Sequence, residues 1–167
     1  KLIREALFPE EEEVVPGDRI MFTKNTFIEG KRVYNGEFAT IVSVGEVEKR
    51  VISLNKDTQI PLNFRSVEIE FINEAGIRTV ALIEDLLASP NSTLTTDEQK
   101  ALYRDFCIRN GNALTALSKK IKEDTEDSNG KSNRIKYINS NERLQIMKDD
   151  RYFNAVQAKY GYAITCH

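Results

Sequence analysis

Tryptophan is absent from this chain of 167 residues, histidine occurs once and cysteine twice. Each scarcity excludes something. Two cysteines, Cys107 and Cys166, are too few to staple a chain of this size, which points to a reducing, cytoplasmic setting. One histidine, His167, and two distant cysteines leave little from which to build a zinc site. No apolar run approaches the roughly 20 residues that span a bilayer, so no membrane partner is expected. The sequence as given opens on no charged-then-apolar leader, so nothing in it marks the chain for secretion. What is present, 40% hydrophobic and 30% charged residues, is an ordinary globular composition. The net charge of −2 conceals an asymmetry: residues 1–95 carry 11 Lys and Arg against 16 Asp and Glu, residues 96–167 carry 13 against 10. Neither half is basic enough to announce nucleic-acid binding from composition alone.

The pattern divides the chain. In residues 1–13, Leu2, Ile3, Ala6 and Leu7 recur about one helical turn apart, as at the end of a helix. Pro9 and the acidic run Glu10–Glu13 then read as a solvated linker. Residues 14–90 are rich in short β segments. Strands are expected at 19–23, 32–34, 37–44, 47–54, 67–72 and 77–83. Asn35-Gly36 predicts a type I′ hairpin joining 32–34 to 37–44, where Phe38, Thr40, Val42 and Val44 share a face. Gly45-Glu46 and 73–76 read as further turns. Val67, Ile69 and Phe71 alternate with Glu68, Glu70 and Ile72, as in a half-buried strand. That many short strands in about 75 residues argue for a small antiparallel barrel or sandwich, and an SH3-like barrel fits the length best.

Residues 91–150 are helical. Thr95 or Thr96, with Asp97 and Glu98, caps a helix bearing Ala101, Leu102, Phe106 and Ile108 on its apolar side, and Asn110-Gly111-Asn112 stops it. A second helix, 113–123, shows Leu114, Leu117 and Ile121. A polar loop at 126–132 follows, then a shorter helix capped by Ser140 or Asn141 and carrying Leu144, Ile146 and Met147. In residues 151–167, Tyr162–Cys166 reads as a buried strand, expected to belong to something longer. The class is therefore α+β.

Candidate chemistry is sparse. Gly130-Lys131-Ser132 has the ending of a phosphate-binding loop, but Thr125 stands where the first glycine is needed, and Glu123, Asp124, Glu126 and Asp127 would repel a triphosphate. It reads as a loop. Cys107 and Cys166 read as inert buried thiols, because no histidine and carboxylate are arranged to activate them. Tyr34, Tyr152, Phe153, Tyr160 and Tyr162 read as core or interface aromatics, and Lys119, Lys120 and Lys122 as a solvated helix face. No nucleophile stands with a base, so no catalytic residue and no metal site are expected.

Two stretches together resemble superfamily 1 DNA helicases of the RecD/Dda type. The first is Gly17-Asp18-Arg19-Ile20-Met21-Phe22-Thr23-Lys24-Asn25 with Val33-Tyr34-Asn35-Gly36-Glu37-Phe38-Ala39-Thr40-Ile41. It is similar to the family's "G-D-x-[VI]-M-x-x-x-N" followed by an aromatic-Asn-Gly hairpin. The second, Tyr160-Gly161-Tyr162-Ala163-Ile164-Thr165-Cys166-His167, is similar to the "Y-A-[IL]-T-x-H" that opens a late helicase motif.

The resemblance implies that 14–90 is the SH3-like barrel inserted in the second RecA-like motor lobe, that 91–150 is a helical insertion, and that 151–167 is the lobe's returning strand. It implies single-stranded DNA and the missing RecA-like lobe of the same chain as partners, with repair or recombination as the setting. ATP and Mg²⁺ are implied for the parent protein and no cofactor for this segment, which lacks the phosphate-binding loop, the acidic magnesium motif and the Lys-x-Gln-Gly continuation. Lys24, Asn25, Asn35, Thr165 and His167 are the implied nucleic-acid contacts. Lys24 and Asn25 read equally as a strand-end turn, Asn35 as turn chemistry, and His167 as a loose terminal residue. The other reading is a non-catalytic SH3-like module that binds nucleic acid or a protein partner through its loops.

Overall fold

The computed structural model describes residues 13–126 and 132–161, with side chains over 13–119 and 141–161. The expected helix end at 1–8, most of the acidic run, Gly130-Lys131, and the Tyr162–Cys166 strand with Thr165 and His167 lie outside the described residues.

The α+β class is as expected. Strands β1 (Arg19–Phe22), β4 (Phe38–Ser53), β5 (Gln59–Phe71), β6 (Glu74–Ile83) and β7 (Ala158–Tyr160) form one antiparallel sheet, ordered β6-β5-β4-β1-β7. Strands β2 (Thr26–Ile28) and β3 (Lys31–Val33) pair separately. The ladder leaves β6 and β7 as its ends. One isolated parallel bridge, Leu82 to Val156, links the chain just before β7 to β6, through Val156 N–H to Ala81 O at 2.7 Å and Ile83 N–H to Val156 O at 3.0 Å. Helices α1 (Asp85–Ala88), α2 (Thr96–Arg109), α3 (Gly111–Glu126) and α4 (Ser132–Asp149) occupy the stretch between β6 and β7.

The cross-strand alternation behaves as the sequence predicts in β5, where Val67 and Ile69 are buried and Glu70 is exposed. In β4 the buried face is the other one. Ala39 and Ile41 are buried, whereas Phe38 and Thr40 are only half-buried and Val42 is exposed. Small Ala39 fits directly over the β1 pairing at Ile20, which leaves the larger Phe38 to stack under Arg19 at the rim.

Two expected turns are corrected. Gly45-Glu46 is not a turn, because β4 runs straight through it as one strand of 16 residues with register shifts beside it. A Cβ at Gly45 would stand 3.1 Å from the carbonyl oxygen of Ser66, so the glycine marks a bulge where two backbones approach closely. Asn35-Gly36 is a turn, with Glu37 N–H reaching Tyr34 O at 3.2 Å, but it joins no paired strands. Gly36 has φ +94° while Asn35 does not take positive φ, so the turn is not type I′. The tight hairpin lies one strand earlier, at Glu29-Gly30 between β2 and β3, where φ is +50° and +78°. Those two positive values are what a type I′ turn demands.

Beyond the body of the sheet, β4 and β5 continue as a two-stranded ribbon, 49–53 against 59–63, turned by Asn55, whose Oδ1 accepts from the N–H groups of Asp57 and Thr58. Pro61 is tolerated in β5 because β6 pairs only from Phe64 onward, so no ladder bond is lost on that side. Helix α2 packs on this ribbon and starts with the expected cap. Thr95 Oγ1 accepts from Glu98 N–H at 3.3 Å, and Glu98 answers from Thr95 N–H at 3.1 Å. Ala101, Leu102 and Phe106 are buried as expected, whereas Ile108 is exposed and Asp105 takes the inward position. The final helix is also longer than expected. It begins at Ser132 rather than at Ser140 or Asn141, because Ile135 and Ile138 extend the helical period backward.

The core has two centres. Ile20, Phe22, Ile41, Ile69, Leu82 and Val156 fill one inside the sheet. Leu62, Phe64, Ile83, Leu102 and Ala155 join the ribbon, α2 and the chain before β7 in the other. A buried ionic chain locks the second centre. Asp105 accepts from Arg50 Nη1 at 2.8 Å and Arg109 Nε at 2.7 Å, and Asp150 accepts from both terminal nitrogens of Arg109 at 2.6 and 2.9 Å. Arg50 stacks 4.1 Å over the Tyr152 ring, and Tyr152 donates to Glu48.

Burial is the largest single influence on the Asp150 carboxyl and pushes its pKa up, but hydrogen bonds from Arg109, the Phe153 N–H and Asn110 together outweigh it and hold the pKa below the usual aspartate range. A depressed folded pKa adds stability that is fully present above the unfolded value, about 3.9, and is lost as pH falls through the folded value. Urea midpoints measured from neutrality downward should therefore fall off below about pH 4 in the unaltered chain. Asp150→Asn should start lower and lose less over that window.

Candidate nucleic-acid interface

The end of β1 is held by its neighbours rather than by its own strand. Phe22 N–H donates to Glu37 O and Gly36 N–H to Phe22 O, both at 2.8 Å, which draws the 34–37 turn against residues 22–25. Asn25 Oδ1 accepts from Asn35 N–H at 2.8 Å, so two of the expected contact residues touch each other and brace this turn. On the other side, Thr23 N–H reaches Gln157 O at 2.9 Å and Thr26 Oγ1 donates to Asn154 O at 2.8 Å. Lys24 projects from this doubly stitched connection. Of the five residues expected from the sequence, the structure brings Lys24, Asn25 and Asn35 together, and Thr165 and His167 lie outside the described residues.

The two-stranded β2–β3 sheet continues the same surface. Thr26, Ile28 and Val33 point inward and are buried, which leaves cross-strand partners Phe27 and Arg32 on the outer face. Tyr34, two residues beyond Arg32, is 54% exposed, and the Arg32 guanidinium lies 5.2 Å from its ring centre. The Lys148 ammonium, from α4, lies 5.2 Å from the Phe27 ring centre. The face therefore alternates cation and aromatic: Lys148 on Phe27, Arg32 on Tyr34, with Lys24 alongside.

These cations are not neutralised by ion pairs, a state they share with Lys49, Lys56, Arg104, Arg143, Arg151 and Lys159 among the described residues. Arg50, Arg65, Arg78, Arg109 and Lys31 each pair with a carboxylate. Lys24, Arg32 and Lys148 have no carboxylate within ion-pair distance among the described residues. The Lys24 side chain is exposed, yet enough protein crowds its ammonium that desolvation lowers its pKa. Such a cation is stabilised by an incoming anion, because an anion restores the charge stabilisation that water supplies only in part.

Sequence reasoning missed Arg32, and of the two expectations for Tyr34, core or interface, its 54% exposure removes the core. The signal available was the alternation itself: with Val33 inward, Arg32 and Tyr34 must share the opposite face. Tyr152 and Phe153 do pack as expected, around Phe64, Tyr103 and Phe106.

The sequence contains no G-x-x-x-x-G-K-[ST], and among the described residues no group of three or more His, Cys, Asp and Glu is placed to hold a metal ion. Among the described residues no helix is long and apolar enough to cross a membrane. No protein-family model matches the chain, and no curated protein matches it.

Proposed function

We propose that this chain is part of an ATP-dependent DNA helicase of the RecD/Dda type, the second motor lobe with an inserted SH3-like barrel, and that it contacts single-stranded DNA. The observation that carries the contact is the face of Lys24, Arg32, Tyr34, Phe27 and Lys148, where unpaired cations alternate with aromatic rings. Single strands are held without regard to sequence by cations that track phosphates and rings on which bases stack. A motor stepping along a strand needs that tolerance. Asn25 and Asn35 act here by fixing the turn that presents Tyr34.

In this reading ATP and Mg²⁺ are held by the rest of the parent protein and supply the energy for stepping. This chain's residues grip the strand. The open end between β6 and β7, bridged at Val156, would be the seam of the proposed barrel, and Thr165 and His167 are proposed as further phosphate contacts.

Tyr34→Ala tests the contact with little risk to the fold, since the ring is mostly in solvent. Loss of one stacked base should weaken binding to an oligothymidine strand about tenfold, read by fluorescence anisotropy. The helix content and melting of the variant should match the unaltered chain. Unchanged affinity would remove this face from the contact.

A further inference from the structure

Beneath the cation–aromatic face lies a cavity of about 280 Å³ whose rim carries Lys24 and Lys148 and whose walls are Phe27, Leu102, Leu144, Met147, Phe153 and Ala155. Its lining also includes Gln157, a polar side chain that is only 4% exposed. The Gln157 Oε1 accepts from Leu94 N–H at 3.0 Å, which fixes the amide's orientation. Its Nε2 has no acceptor among the described residues and is not among their buried unpartnered atoms, so it keeps access to water on the cavity side. Asn154, also in the lining, donates through Nδ2 to the carbonyls of Met147 at 2.7 Å and Asp150 at 2.9 Å, and its Oδ1 has no donor among the described residues. The cavity thus combines apolar walls, one free amide donor, one acceptor and a cationic rim.

We propose that this cavity receives one unstacked base of the bound DNA strand, with the base's phosphate on Lys24. This rests on the single-stranded DNA reading above and adds a defined subsite to it. An aliphatic chain would suit the walls but would leave the Gln157 Nε2–H buried without a partner. A simple anion would suit the rim and leave the apolar walls empty. A nucleobase satisfies both: its faces lie against Phe153 and Met147, its carbonyl accepts from Gln157, and a ring N–H or amino group donates to Asn154. The volume falls just under the roughly 300–1,000 Å³ of pockets that enclose drug-sized ligands, which suits one base whose sugar and phosphate stay outside. A base in a single strand enters at low cost, because no pair has to be broken.

The test compares the full chain's affinity for an oligothymidine strand and for the same backbone without bases, in the unaltered protein, in Tyr34→Ala and Leu144→Trp, and in the two combined. Leu144 is 48% exposed at the wall of the cavity, so a tryptophan there closes the mouth from the solvent side. The proposal expects the strand with bases to bind about tenfold better in Tyr34→Ala, where the outer ring no longer contributes, and the preference to shrink to less than about twofold when Leu144→Trp is added to Tyr34→Ala. A preference that vanishes in Tyr34→Ala overturns the subsite and leaves the surface contact standing. That comparison does not depend on Leu144→Trp folding. No binding of either strand overturns the DNA reading and the subsite together. Saturation by free thymidine monophosphate, blocked in Leu144→Trp and without any base preference in the strand, would assign the cavity to free nucleotides and overturn the strand-borne base.

Discussion

Phe106→Ala should cost the fold about 4 kcal/mol, within the range for emptying a buried phenylalanine site. The ring is fully buried, 5.1 Å from Phe153 and 6.2 Å from Tyr103 between centres, and it sits on the inward face of α2. Little around it can collapse into the space, because Phe153 is anchored through its own N–H to Asp150 at 2.7 Å. A loss of that size is a large part of the roughly 5–15 kcal/mol that holds a domain together. The expected readout is a lower urea midpoint at unchanged slope. A loss below about 1 kcal/mol would mean that α2 is not seated on the sheet as described.

Asp105→Ala should cost about 3 kcal/mol, by a different mechanism. The carboxylate is 5% exposed and joins Arg50 of the ribbon to Arg109 of its own helix. Removing one partner of a buried pair costs roughly 3–5 kcal/mol because it strands the remaining charge. Here each arginine keeps a second carboxylate, Glu48 for Arg50 and Asp150 for Arg109, which places the loss at the lower end. Asp105→Asn retains an acceptor and should lose markedly less. Equal losses for the two variants would show that shape rather than charge matters at this site.

The sequence discloses these two positions unequally. Phe106 follows Leu102 and Ala101 by four and five positions, so its burial is legible from the helical period. Asp105 is not, because a carboxylate reads as solvent-facing until its partners are known, and one of them, Arg50, comes from a strand more than fifty residues away. The same distinction runs through the fold. Local rules predict the Thr95–Glu98 cap and the burial of Val67 and Ile69. They fail where a tertiary contact decides. Glu29 is a poor residue for positive φ, yet the β2–β3 hairpin puts it there while its carboxylate pairs with Arg78 on β6. Gly45 resembles a turn because glycine permits one, whereas it is needed for the approach of Ser66. At the candidate site, Lys24, Asn25 and Asn35 are legible as a cluster through their motif. The cavity is not, since Leu102, Leu144, Phe153 and Gln157 come from three separate stretches of chain.

The central claim is that this chain grips single-stranded DNA through unpaired cations. The most direct measurement is the affinity for a labelled oligothymidine strand across a range of salt concentrations. With Lys24, Arg32 and Lys148 each replacing a counterion, the slope of log K against log salt should be about −2, with dissociation constants of roughly 10⁻⁴–10⁻⁶ M near physiological salt. Lys24→Ala should flatten that slope by about 0.7. A strand that does not bind, or one whose affinity is indifferent to salt, would contradict the account.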